Sequence, residues 1–91
     1  LSAADVLDYG LERVERELAG QPELQARLLE RIGESYTNLD EYERALIPLE
    51  RALALRIELH GERDARTAYA TVLLASAARL ASSSQSEELL R

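Results

Sequence analysis

Large aliphatic residues recur along this chain at helical intervals. Leu7, Leu11, Val14 and Leu18 follow one another at steps of four, three and four, which puts them on one side of a helix. Glu12, Arg13, Glu15 and Arg16 form its charged side. Ser2, with Asp5 three positions on, has capping-box spacing, so the first helix is expected over about 2–19. Gly20 suits the position after a helix end, and Pro22 suits the first turn of the next helix. That second helix, about 22–38, carries Leu28, Leu29, Ile32 and Tyr36. Asp40 and Glu43 give a D-x-x-E start to a third helix over about 41–60, which Gly61 ends. A fourth is expected over about 64–81. Ser82 to Ser84 then read as a loop, and Ser84 with Glu87 repeats the capping spacing for a partial fifth helix over 84–91.

The third helix has two apolar stripes where one would serve a surface helix. Tyr42, Leu46, Leu49, Leu53 and Ile57 form the first; Ala45, Ala52, Leu55 and Leu59 form the second. Two stripes imply cover on two sides, so this helix is expected between the second and the fourth. Ala45 and Ala52 mark positions where neighbouring helices come close. Pro48 removes the hydrogen bond to the Arg44 carbonyl and is expected to bend the helix. Heptads interrupted by Gly and Pro about every twenty residues describe short antiparallel helices, not a long coiled coil. The predicted fold is all-α: four full helices and part of a fifth in a single domain, residues 1–91.

Composition narrows the function. The 91 residues hold 17 acidic and 11 basic side chains, a net charge of −6, which disfavours nucleic acid and anionic membrane surfaces. With no cysteine there is no disulfide and no thiolate metal site. Apolar runs are too short to span a bilayer, and the start "LSAADVLDYG" lacks the basic and apolar regions of a signal peptide. A cytoplasmic location is expected. The lack of methionine suggests a trimmed chain or a piece of a longer repeat array.

The chain also resembles itself. "LLERIGESY" (28–36) aligns with "ATVLLASAA" (70–78) at a shift of 42, pairing Ile32 with Leu74 and Gly33 with Ala75. Leu29, Ile32, Gly33, Tyr36, Tyr42, Ala45, Leu49 and Ala52 resemble the tetratricopeptide repeat signature. There, a large residue, L-G and Y in helix A are followed by Y, A, F/L and A in helix B. The 42-residue spacing and "RALALRIELHGERDARTAYA" look like the longer repeats of kinesin light chain type. "LERVERELAGQPELQARLLERIGE" is similar to repeat regions that follow bacterial serine/threonine kinase domains. The resemblance implies an antiparallel α-solenoid that binds proteins, with helix A lining the concave groove. Carried over, it makes Arg27, Glu30, Glu34, Thr37 and Asn38, then Tyr69, Val72, Ser76, Arg79 and Leu80, the groove residues. Where related long repeats have a peptide-clamping asparagine pair, this chain has Glu30 and Arg31, then Val72 and Leu73. Asp40 replaces the usual glycine between helices.

Catalytic chemistry finds little support. His60, the one histidine, stands in the last turn of a helix, where a charged imidazole favours the dipole; no E-x-x-H accompanies it as a metal site would need. The serine run has no histidine in reach to activate it, and the Glu/Arg-rich stretches read as solvated helix faces. No enzyme, metal or cofactor is expected. The expected function is a protein-interaction scaffold that takes a partner's peptide or helix on the helix A face. The alternative is a structural module joining copies of itself through its end helices, with Leu89 and Leu90 supplying the C-terminal contact.

Overall fold

The computed structural model describes the backbone of residues 1–90 and the side chains of residues 1–86. Among these residues the chain forms four helices: α1 (Ala3–Glu17), α2 (Pro22–Asn38), α3 (Tyr42–His60) and α4 (Ala65–Leu90). Their starts and stops follow local chemistry. At α1, Asp5 N–H donates to the Ser2 hydroxyl and Ser2 N–H donates back to the Asp5 carboxylate, each at 3.1 Å. The expected capping box therefore forms and satisfies two otherwise orphaned donors. Pro22 opens α2, where its missing N–H costs no helical bond. Gly61 closes α3 with φ +85°, a backbone angle that a side chain would strain.

Three boundary expectations are corrected. Gly20 does not adopt a left-handed conformation; α1 ends at Glu17 with Leu18 as its cap, and a turn bond from Gln21 N–H to the Leu18 carbonyl follows. Asp40 does not cap α3, whose N-cap is Glu41 without a side-chain bond. Asp40 instead takes the left-handed turn itself, at φ +60°, and accepts a 2.8 Å bond from the Tyr42 hydroxyl. Most consequential, no loop forms at Ser82–Ser84 and no fifth helix folds back among the described residues. α4 runs on through the serines to Leu90. Serine is only a modest helix former, but with no glycine or proline to stop it, propagation continues. Gln85 in this extension donates to Glu43 at the start of α3, 2.6 Å away.

The helices pack mainly with their neighbours in sequence, α1 on α2, α2 on α3 and α3 on α4; α2 and α4 also touch. α3 thus lies between α2 and α4, as its two stripes require. Overall extents are 45 × 34 × 14 Å, a slab broad in two directions and thin in the third. Two small cores hold it. One gathers Ala4, Tyr36, Ala45, Leu49 and Ala77; the other gathers Ala26, Leu29, Ala52 and Leu55, with Leu11 and Val14 packed against it. Ala45 and Ala52 are both wholly buried, so close approach accounts for their size. At Gly33 the approach is closer still. A Cβ there would overlap the Leu49 side chain. Pro48 lies inside an unbroken α3 with its ring fully buried, so packing offsets the missing hydrogen bond. The C-terminal ends of both stripes are less covered than expected, leaving Ile57 of the first and Leu59 of the second exposed.

Two hydrogen bonds repeat at the sequence shift. Gln25 Nε2 donates to the Val14 carbonyl (3.3 Å), and Thr67 Oγ1 donates to the Arg56 carbonyl (3.2 Å). Donors and acceptors are both related by 42 positions, so α2 meets α1 as α4 meets α3.

Candidate interaction surface

The proposed groove residues lie on α2 and α4, which are neighbours in the fold. The link is direct at one point: the Tyr69 hydroxyl donates to Glu34 Oε1 at 3.2 Å. Partial burial, reinforced by the nearby Glu34 carboxylate, raises the Tyr69 pKa and keeps the phenol protonated as donor. Val72, one turn along α4, is 60% exposed beside them. Arg27 and Arg79 are exposed, and Ser76 and Leu80 are half-buried.

Other residues go elsewhere. Glu30 is corrected from a groove contact to a core residue, only 4% exposed. Its two oxygens accept from Arg56 Nε and an Arg56 terminal nitrogen, both at 3.0 Å. Thr37 turns its hydroxyl back to the Gly33 carbonyl at 2.9 Å. Asn38 is exposed and lines a cleft between α1 and α2. Leu89 and Leu90 lie outside the residues whose side chains are described.

The Glu30–Arg56 pair belongs to a buried network. Arg56 also donates to Glu23 at 2.6 Å, and its carbonyl accepts from Thr67, which bonds the Gly61 carbonyl as well. His60 Nε2 lies 2.9 Å from Glu23 Oε2, but the pair does not align into a hydrogen bond. The hydrogen bonds that Arg56 donates to Glu30, then Glu23, raise its pKa and keep it charged despite burial. A second network joins three helices: Tyr36 of α2 donates to Asp8 of α1, which pairs with Arg44 of α3 at 3.5 Å. Burial, then the bond to Asp8, raises the Tyr36 pKa. Both networks fasten helices together. Among the described residues no cluster of His, Asp and Glu is arranged to hold a metal, and no helix is long and apolar enough to cross a membrane.

Arg56 was missed as a structural residue because charged side chains read as solvated. One signal marked it: it stands seven positions from Leu49 and four from Ala52, on the buried stripe of α3.

These ion pairs set the response to acid. The bond from Arg56 lowers the Glu23 pKa below its ordinary 4.5, and the bonds to Ser2 lower that of Asp5 below 3.8. Asp64 is lowered likewise by Arg66. A carboxyl more acidic when folded favours folding above its unfolded pKa, and that gain is lost as pH falls through the folded value. The urea midpoint should hold steady near neutrality and drop progressively below about pH 4.5. A midpoint that rose on acidification would show that these pairs do not form. Comparison of the chain with protein-family models, with curated proteins and with solved structures found no match.

Proposed function

We propose that the chain is a protein-interaction module of tetratricopeptide type, an open stack of helix pairs that holds a partner's peptide or helix on the surface shared by α2 and α4. The observation that carries this reading is the Tyr69–Glu34 bridge, which joins two of the proposed groove residues across those helices beside exposed Val72. The order of packing supports the stack: α1 and α4 lie at opposite ends of a slab only 14 Å thick, whereas a closed bundle would have two similar short axes. The paired bonds of Gln25 and Thr67 support a repeat of 42 residues. Asp40 in its left-handed turn supplies the tight link that the family usually obtains from glycine. Arg27, Glu34, Ser76 and Arg79 offer mixed charge and hydrogen bonding around Tyr69 and Val72, a surface suited to an amphipathic segment. The reading involves no catalysis and no cofactor, and places the protein in the cytoplasm.

Panning a displayed library of short peptides on the protein tests this. Enriched peptides should bind the Glu34→Arg variant at least about tenfold more weakly, ~1.4 kcal/mol. The Ile47→Arg variant, altered at an exposed site on α3, should bind as the parent does. No enrichment, or equal binding by the parent and Glu34→Arg, would refute the groove. A second reading, a module that joins copies of itself, draws on the exposed apolar residues Val6 and Tyr9 of α1 and Val72 of α4.

A further inference from the structure

A second cleft, of about 270 Å³, opens where the C-terminal parts of α1 and α3 flank the start of α2. Both outer helices pack on α2, so the cleft belongs to their junction. Pro22, Leu55 and Leu59 give it apolar walls. Glu15, Gln25, Arg51 and Glu58 give it polar atoms.

Gln25 is the most telling of these. It is only 2% exposed, and its Nε2 donates to the Val14 and Glu15 carbonyls at 3.3 and 3.4 Å. Those bonds fix the carboxamide with Nε2 toward α1 and Oε1 on the other side. Among the described residues no N–H or O–H donates to Oε1. The oxygen is not sealed in, so it is reached through the cleft that Gln25 lines. It stands there as an acceptor for an incoming donor.

The surrounding charge favours a cation. Glu58 is exposed and pairs with no cation among the described residues. Glu15 Oε2 lies 3.6 Å from Arg51 Nε, too far for a hydrogen bond, so its carboxylate keeps acceptors for a second cation. Two helix C-termini add partial negative charge, which the single α2 N-terminus offsets only in part. The basic residues of their last turns, Arg16 and His60, lean on Glu12 and Glu23, outside the cleft.

We propose that this cleft takes a lysine side chain of a partner protein, its ammonium held by Glu58, Glu15 and Gln25 Oε1 and its aliphatic stem laid on Leu55 and Leu59. An ammonium turns its donors freely and suits acceptors carried by three helices, whereas a guanidinium needs them in one plane. The stem can stay on apolar surface while the charge meets the carboxylates. None of the 91 residues is lysine, so neither this segment nor a copy of it supplies the occupant. The net charge of −6 draws such a partner in. The site is separate from the α2–α4 surface and does not depend on peptide binding there.

Nuclear magnetic resonance titration of the whole chain with a lysine blocked at both ends as acetyl and methylamide tests it. Saturable shifts should appear at the amides of Ala19, Leu55 and Leu59 and at the Gln25 side-chain amide, with a Kd of about 10 mM or tighter. The blocked norleucine analogue, which has the stem without the charge, should bind at least about tenfold more weakly, as should the blocked arginine analogue. Glu58→Gln should weaken lysine binding at least about fivefold with circular dichroism unchanged. Glu50→Gln, the same change at an exposed position of α3 outside the cleft, should bind as the parent does. Spermidine should bind within about threefold of blocked lysine; much tighter binding would make a free polyamine the occupant and overturn the lysine assignment. The proposal would also fall if shifts did not saturate or lay away from the cleft. Equal binding of the norleucine or arginine analogue, or by Glu58→Gln, would overturn it too.

Discussion

The Arg56→Met variant is expected to lose about 3–5 kcal/mol of stability, because Glu30 is left charged, buried and unpaired. Arg56 and Glu30 side chains are only 7% and 6% exposed, and the guanidinium meets both carboxylate oxygens at 3.0 Å. Glu23, the third member, is 46% exposed and can return to water when Arg56 is removed. A domain of this size typically has about 5–14 kcal/mol in total, so the single variant should unfold at low urea. Removing the second charge should reverse most of the effect. The double variant Arg56→Met with Glu30→Leu should lie within about 1 kcal/mol of the parent, since well-packed apolar residues replace buried ion pairs at little net cost. Urea unfolding followed by circular dichroism at neutral pH gives all three values. If Arg56→Met lost less than about 1 kcal/mol, the pair would have to be solvated, contrary to its burial.

The contact between Gly33 and Leu49 is expected to show strong coupling. Leu49→Ala should cost about 2–5 kcal/mol, the usual range for a wholly buried leucine whose space cannot fully collapse. Gly33→Ala should cost about 1–3 kcal/mol from overpacking, against a helix-propensity gain of about 0.5–1 kcal/mol. Overpacking dominates because the new Cβ meets not only the tip of Leu49 but its Cγ, which cannot swing aside without moving the side chain. In the double variant the methyl added at position 33 enters the space that Leu49 vacates. The combined loss should therefore fall short of the sum by about 0.5–3 kcal/mol. Additive losses would mean that the two residues do not share one space.

Local chemistry wrote much of this fold into the chain. Ser2 and Asp5 cap α1, Pro22 opens α2 and Gly61 closes α3, because each acts through its own backbone or that of a residue a few positions away. The two stripes of α3 placed it between its neighbours for a similarly simple reason: apolar area on two sides of a helix needs two covers. The serine run misled, since its turn preference is weak and the outcome rested on the cooperativity of a long α4 and on the contact between Gln85 and Glu43. Of the proposed groove, the sequence pointed to Glu34 and Tyr69, which meet. Glu30 carries the same kind of charge, yet one turn away along α2 it faces Arg56 and not solvent.

The sequence by itself determined the approximate extent of the first three helices and the start of the fourth, the small residues at their closest approach, and the exclusion of disulfide chemistry. Those properties depend on the backbone preferences and apolar spacing of residues near one another along the chain. Only the tertiary structure decided which charges are buried and that α4 continues through the serines. A side chain's solvation is set by what packs against it, and for Glu30 and Arg56 that depends on helices distant in sequence.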